Sequence, residues 1–312
     1  NIRFSPMNPQ HKAGEFMQTT YDVIVIGGSY AGMAAALQIA RGRRQVLVID
    51  AGIRRNRFAE FSHGLLGQDG KSPTAIAEEA KAQLLEYPNL TWLEGLADSA
   101  EKNGDLFTVT SGNKMLIGKR LILATGVTDH LPAIPGLQDR WGKSVFHCPY
   151  CHGYELNQGP LGVLATSEAS LHQALLIPDW GPTTLFTNNC FTPDETQRQQ
   201  LAARHVKIET ETVREIVGEQ AAIVKLDNGR LVELAGLFVA SLTQPSNRIA
   251  QDLGCEIAES PVGFYIKTDE FKQTTVPGVF ACGDLGRPMG SVTFAIGDGA
   301  LAGFGTHRSL IF

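Results

Sequence analysis

Cys148 and Cys151 lie two residues apart in the stretch Val145 to Glu155, VFHCPYCHGYE, with His147 and His152 on either side of them. This spacing lets a disulfide close within one tight turn, and nearby dipoles and charges can lower one thiol's pKa until its thiolate attacks. An imidazole, with an unperturbed pKa of about 6.5, can take or return the thiol's proton near neutral pH. The same residues are also half of a zinc knuckle, since two Cys and a His form a common partial ligand set. No second close-spaced pair completes that set, because Cys190, Cys255 and Cys282 stand alone. These three read as small buried hydrophobes.

The elements that must position this turn begin far upstream. Tyr21 to Ile26 is a continuous apolar run that breaks into Gly27-Gly28-Ser29-Tyr30-Ala31-Gly32, followed by an Ala-rich helix over Met33 to Ala40 and an apolar strand over Gln45 to Ile49 that ends at Asp50. This is the order of a dinucleotide-binding βαβ unit: the glycines allow a tight turn, the pyrophosphate rests on the helix N-terminus, and the terminal carboxylate holds a ribose. Ser29 stands where the motif has its middle glycine and crowds the phosphate approach slightly. Arg54 to Arg57 and His63 to Gly70 form a polar loop, and Lys71 to Leu85 has helical apolar spacing with Pro73 in its first turn. Strands are expected at Leu90 to Leu96, Leu106 to Thr110 and Lys114 to Ile117. A separate strand at Leu121 to Leu123 closes in Ala124-Thr125-Gly126, small enough for close packing against a cofactor. Pro132, Pro135 and Gly136 mark a linker.

Beyond the CPYC turn a second βαβ unit is expected: a strand at Leu161 to Leu164, a helix from Ser170, and a strand at Thr183 to Phe186. Its turn reads Ala165-Thr166-Ser167-Glu168-Ala169-Ser170, without the glycine fingerprint and with a carboxylate facing the phosphates. Thr187-Asn188-Asn189 stands where arginines would hold a 2′-phosphate. A polar helix over Asp194 to Arg204 follows, with strands at Val206 to Glu209, Ile223 to Leu226 and Leu237 to Leu242. The chain then runs as a strand through Val276 to a corner at Gly283-Asp284 and into a small-residue helix over Gly290 to Leu301. An acid at such a corner can bind a ribityl hydroxyl or bridge to a phosphate, and the helix N-terminus behind it favours negative charge. Trp141 and Trp180 are read as core.

Length allows about two domains, since the chain has 312 residues. A net charge of -5 without long basic runs argues against a nucleic-acid partner. No apolar run approaches the roughly 18 residues of a membrane span. Five mostly isolated cysteines do not resemble a secreted disulfide framework and point to the cytoplasm. Asn1 to Phe16 is read as a tag or extension ahead of a natural start near Met17.

GGSYAG with Asp50, LILATG at 121–126, the CxxC at 148–151 and GVFACGDL at 278–285 fall in the order of one family's landmarks. The chain resembles the low-molecular-weight thioredoxin reductase flavoproteins. The resemblance implies an α/β protein of two Rossmann-like, three-layer ββα dinucleotide-binding-type domains, the second inserted into the first. Residues 17–130 and 247–312 would form a discontinuous FAD-binding domain. Residues 131–246 would form an NAD(P)H-domain-like module that carries the CxxC and is degenerate for NADPH. FAD contacts are then expected from Gly27, Gly28, Ser29, Tyr30, Ala31 and Gly32, from Asp50, Ala51, Arg57 and His63, from Ala124, Thr125 and Gly126, and from Gly283, Asp284, Ser291 and Val292.

Two departures narrow the resemblance. Typical thioredoxin reductases place an acid after the second cysteine, where this chain has His152, and bind NADPH through a GxGxxA turn and an arginine cluster that this chain lacks. The combination resembles the dithiol oxidase branch that makes the disulfides of gliotoxin and holomycin, in which flavin passes electrons from a substrate dithiol to oxygen. On that resemblance Cys148 meets the substrate thiol, Cys151 faces the flavin, and His152 carries the proton. Glu155 or His147 would orient His152, with His147 equally read as a solvated turn residue. The implied partner is a small dithiol or disulfide, or a thioredoxin-like protein, and the implied assembly is a homodimer. Two other readings stand beside it: a disulfide reductase supplied by NADPH, ferredoxin or another donor, and a flavin-bearing redox sensor or binding protein.

Overall fold

The computed structural model describes residues 20–312, so the extension expected at 1–16 and the start near Met17 lie outside it. The first unit runs β1 (Thr20–Ile26), α1 (Tyr30–Arg41), β2 (Val46–Asp50), α2 (Pro73–Leu85), β3 (Leu90–Glu94), β4 (Ser99–Asn103), β5 (Leu106–Ser111) and β6 (Lys114–Leu123). Its sheet has the order β3-β2-β1-β6-β5-β4. β1 pairs in parallel with both β2 and β6, so it is central, and with a core on each face of the sheet its sequence is apolar without alternation. Val23 and Val25 enter the core under α1, and Ile24 and Ile26 enter the core on the opposite face with Phe107 and Val109.

The separate strands expected at Lys114 to Ile117 and Leu121 to Leu123 are one ten-residue strand, β6. The polar Gly118-Lys119-Arg120 that reads as a break continues the ladder, because both of its charges find partners. Lys119 Nζ sits 2.8 Å from Asp22 Oδ1, and Arg120 Nη2 donates to the Ser309 carbonyl at 2.6 Å. Gly118 itself is required there, since a Cβ would fall 2.8 Å from Ile24.

The chain leaves this sheet by β7 (Val127–His130). It then forms β8 (Val145–Phe146), α3 (Pro149–His152), β9 (Leu161–Leu164), α4 (Ser170–Leu176), β10 (Thr183–Phe186), α5 (Glu195–Ala203), β11 (Lys207–Glu209), β12 (Val213–Val217), β13 (Ala222–Leu226), β14 (Leu231–Leu234) and β15 (Gly236–Val239). A parallel sheet of order β11-β10-β9-β15-β8 forms beside an antiparallel β12-β13-β14 sheet. The strand expected through Leu237 to Leu242 ends at Val239, where Ser241 turns its hydroxyl onto Asp129. Trp141 is buried in the core of this half, and Trp180 packs half-buried at its edge.

The return is made by β16 (Leu242–Pro245), which pairs antiparallel with β7. After it come α6 (Ile249–Asp252), β17 (Ile257–Ser260), β18 (Gly263–Ile266), β19 (Val279–Ala281) and α7 (Val292–Ser309). β19 joins the first sheet beside β6. α7 extends well past the expected Leu301, because its glycine seam continues against the first unit: a Cβ at Gly299 would fall 2.1 Å from the Ala31 carbonyl, and one at Gly303 2.8 Å from that of Ala35. The molecule is thus the expected α/β protein with two sheets of the dinucleotide-binding type.

Candidate active site

Cys148 caps the N-terminus of α3 in an extended conformation, and Pro149 occupies the first helical position, where its missing N–H is not needed. The turn closes with the Cys151 amide donating to the Cys148 carbonyl at 3.3 Å and Gly153 donating to Pro149 at 2.7 Å. Cys148 and Cys151 are joined as a disulfide with their Cα atoms 5.4 Å apart. The sulfurs bond each other, and among the described residues no three His, Cys, Asp or Glu side chains converge as a metal site. Gly153 is needed because a Cβ would fall 2.6 Å from Trp180. Tyr150 meets the Trp180 ring edge-on at 5.1 Å and is 70% exposed, and Tyr154 is 86% exposed, so aromatic surface flanks the redox turn.

His152 stacks on Phe146, with ring centroids 4.4 Å apart. Burial, with a smaller effect from nearby His63, pushes its pKa down to about 4, so the imidazole is neutral at pH 7 and less basic than a free histidine. His147 is half-buried, its ring 6.0 Å from that of Trp141, and burial first, then the Arg55 guanidinium, pushes its pKa down to about 3. Glu155, expected as an orienting partner of His152, faces His63 instead, with its Oε1 3.5 Å from His63 Nδ1. His63 also lies 3.6 Å from Asp69, so the loop after β2 reaches across to the redox turn.

The glycine turn forms the second part of the site. Gly27 has φ +103° and lies against Ala124, where a Cβ would fall 2.3 Å from the carbonyl oxygen. The Gly28 amide donates to Asp50 Oδ1 at 3.1 Å. Ser29 is the N-cap of α1 but makes no side-chain capping bond, so the amides of this helix end are left for another acceptor. Tyr30 turns inward and donates its hydroxyl to the Pro73 carbonyl at 3.1 Å, Ala31 packs beneath Gly283, and Gly32 meets the Gly27 carbonyl. Ala51 is exposed just past Asp50, and Thr125 and Gly126 follow Ala124 at the end of β6. At the opposite corner, Gly283 has φ +67°, Asp284 lies under Gly290, and Ser291 caps α7 by accepting from Phe294 N, which places Val292 first in that helix.

In the second βαβ unit the turn after β9 is closed by hydrogen bonds with Ser170, with Ala240 after β15 and with Gln197 of α5. The Thr166 amide donates to Ser170 Oγ at 3.0 Å, the Thr166 hydroxyl donates to the Ala240 carbonyl at 3.2 Å, and Gln197 Nε2 donates to Glu168 Oε1 at 2.7 Å. Asn188 and Asn189 both adopt positive φ after β10, and Cys190 Sγ donates to the Ala165 carbonyl at 3.1 Å. Cys190 is therefore exposed rather than the buried hydrophobe expected. Its tight turn presents it beside the first loop and leaves no core to enter. Cys255 and Cys282 are buried as expected, and burial pushes the Cys282 thiol up to about 12.

Residues 21–176 and 190–299 match the model of the pyridine nucleotide-disulphide oxidoreductase family. The chain belongs to that family. It is a thioredoxin reductase-like flavoprotein disulfide oxidoreductase. Similar proteins include thioredoxin reductase aclD of Aspergillus oryzae, 31% identical over 94% of this chain and 97% of that protein. Thioredoxin reductase tcpT of Claviceps purpurea is 33% identical over 90% and 92%. Among solved structures, an oxidoreductase from Agrobacterium tumefaciens superposes with a TM-score of 0.92 at 52% identity, covering 94% of this chain and 99% of that one.

Membership in this oxidoreductase family implies a flavin, FAD. The residues present fit one: three close-packed glycines, an uncapped helix N-terminus and a strand-terminal Asp50 form a cradle for a pyrophosphate and ribose. Arg54 Nε and Asn56 Oδ1, from the loop beside Tyr30, are buried without a protein partner. Arg57 lies exposed over the Phe58 ring and donates to the Arg54 carbonyl. Arg55 is the guanidinium that turns inward, bonding both Asp129 and Asp284. Sequence offered no way to choose it, since the cluster Arg54 to Arg57 has no periodicity and its partners lie 74 and 229 residues away.

Proposed function

We propose that this protein is an FAD-dependent dithiol oxidase in which Cys148 and Cys151 carry electrons from a substrate dithiol and His152 moves the proton. The observation that supports the choice of donor is the second βαβ turn. Its Thr166 amide is taken up by Ser170, its Thr166 hydroxyl by the Ala240 carbonyl and its Glu168 carboxylate by Gln197, where a pyridine nucleotide's phosphates would rest. The fungal proteins named above share the chain over almost its full length, and the CPYCH turn likens it to the gliotoxin-type branch.

His152, neutral at pH 7, takes the proton of a substrate thiol. The resulting thiolate attacks Cys148 Sγ, forms a mixed disulfide and releases Cys151 as a thiolate. The second substrate thiol displaces Cys148, which leaves a substrate disulfide and a reduced Cys148/Cys151 pair. Bound FAD supplies the two-electron acceptor that returns the pair to its disulfide, with oxygen as terminal acceptor. Phe146 fixes the plane of His152 by stacking, so the proton is held at the edge of the redox turn.

Anaerobic mixing tests the reading. A small dithiol such as dithiothreitol should bleach the flavin rapidly, and NADPH should leave it oxidised; rapid bleaching by NADPH would overturn the proposal. The exposed Tyr150 and Tyr154 favour a second reading in which a thioredoxin-like protein docks over the turn and a different donor drives the same steps in reverse. Reduction of a thioredoxin by the flavin-reduced protein would support it.

A further inference from the structure

The chain passes between its two sheet systems only through β7 and β16, and these two strands pair with each other, Leu242 opposite His130 and Thr243 opposite Asp129. They form the linker edge of a four-stranded sheet of order β17-β18-β16-β7, so any rigid-body displacement of the half that carries the redox turn must bend this β7/β16 ribbon or its seat on β18. Arg55, from the loop after β2, grips the ribbon: its Nε donates to Asp129 Oδ2 at 2.8 Å and its Nη2 to Asp129 Oδ1 at 2.6 Å. Its remaining nitrogen, Nη1, donates to Asp284 Oδ2 at 2.8 Å, at the Gly283 corner. From the returning side of the ribbon, the Ser241 hydroxyl donates to Asp129 Oδ1 at 2.6 Å. Outgoing linker and flavin corner therefore meet on one guanidinium, in the bidentate geometry that only Arg provides, and the returning linker joins them through the Asp129 carboxylate. The charges of Arg55 and Asp129 both act on the imidazole of His147, the residue before Cys148, so the cluster borders the redox turn.

We propose that Arg55 is a positioning residue that locks the β7/β16 ribbon to the flavin corner and so holds the Cys148/Cys151 turn in register for electron transfer. The inference rests on the thiol-to-flavin reading above. Removing Arg55 leaves the Asp129 and Asp284 carboxylates unmatched, and neutralising Asp129 removes the bidentate grip while Arg55 keeps Asp284; either change frees the ribbon, while the glycine cradle and the disulfide stay intact.

The test uses the flavin-loaded protein and the variants Arg55→Met and Asp129→Asn; the second leaves the Asp284 arm in place and carries the test if the first does not fold. Hydrogen exchange at the β7 and β16 amides should accelerate by about tenfold or more in both variants. The saturating rate of anaerobic flavin bleaching by dithiothreitol should fall by about tenfold, with the half-saturating concentration and direct bleaching by dithionite unchanged. Wild-type exchange in the ribbon overturns the latch, and so does faster exchange with an unchanged saturating rate. Loss of flavin with normal ribbon exchange also overturns it, since Arg55 would then serve the corner alone. If the wild-type flavin is not bleached by dithiothreitol at all, the thiol-to-flavin reading fails, and the exchange arm still judges the latch.

Discussion

His152 and His147 illustrate how the same residue type acquires its chemistry from burial. Both are held neutral at pH 7, with pKa values pushed down to about 4 and about 3. In the unfolded chain they titrate near 6.5, so between about 6.5 and 4 the unfolded state binds more protons than the folded one. Stability therefore falls as pH drops through that window, and the His152 share is fully lost below about 4. His152→Gln should remove that share, so its melting temperature should decline less between pH 7 and 5 than the wild type's. The same substitution should slow dithiol turnover by about a hundredfold, the usual worth of a positioned proton acceptor. Cys148→Ser and Cys151→Ser should each lower dithiol turnover by about three orders of magnitude while leaving the flavin bound. Turnover at wild-type rates in either serine variant, measured by oxygen consumption, would exclude every disulfide mechanism at this turn.

At the level of elements, the flavin cradle depends on backbone approach and the second unit on local capping. A Cβ at Gly32 would fall 1.8 Å from the Gly27 carbonyl, so Gly32→Ala must push α1 off the turn. It should cost about 3 kcal/mol in chemical denaturation and yield protein purified with little flavin. α5 begins with a complete capping box, in which Asp194 accepts from Gln197 N and Gln197 Oε1 accepts from Asp194 N. Asp194→Ala should cost about 1 kcal/mol by the same measurement and leave dithiol oxidation unchanged, because the capping bonds it breaks lie within the first turn of α5.

For the whole molecule, the two βαβ units differ in what they leave open. The first presents an uncapped helix end and orphaned polar groups; the second has engaged its own. A ligand that binds only the folded state stabilises it by about 2.7 kcal/mol at a hundredfold excess over its Kd. Added FAD should therefore raise the melting temperature of flavin-depleted protein by several degrees, and NADPH at millimolar concentration should leave it unchanged. A comparable upward shift with NADPH would show that the second unit opens.

Local sequence determined most of the scaffold. An apolar strand buried on both faces, a glycine turn and an Ala-rich helix carry their own signal within thirty residues, as does a CxxC turn begun by proline. Boundaries failed where charged residues continued a strand, as at Lys119 and Arg120, because their partners Asp22 and Ser309 are distant in the chain. The same reason hid Arg55 among its neighbouring arginines, paired Glu155 with His63 instead of His152, and left Cys190 at the surface. Only the tertiary structure decided these, since the choice among like residues is made by where distant carboxylates and aromatic walls arrive, and no periodicity along the chain records it.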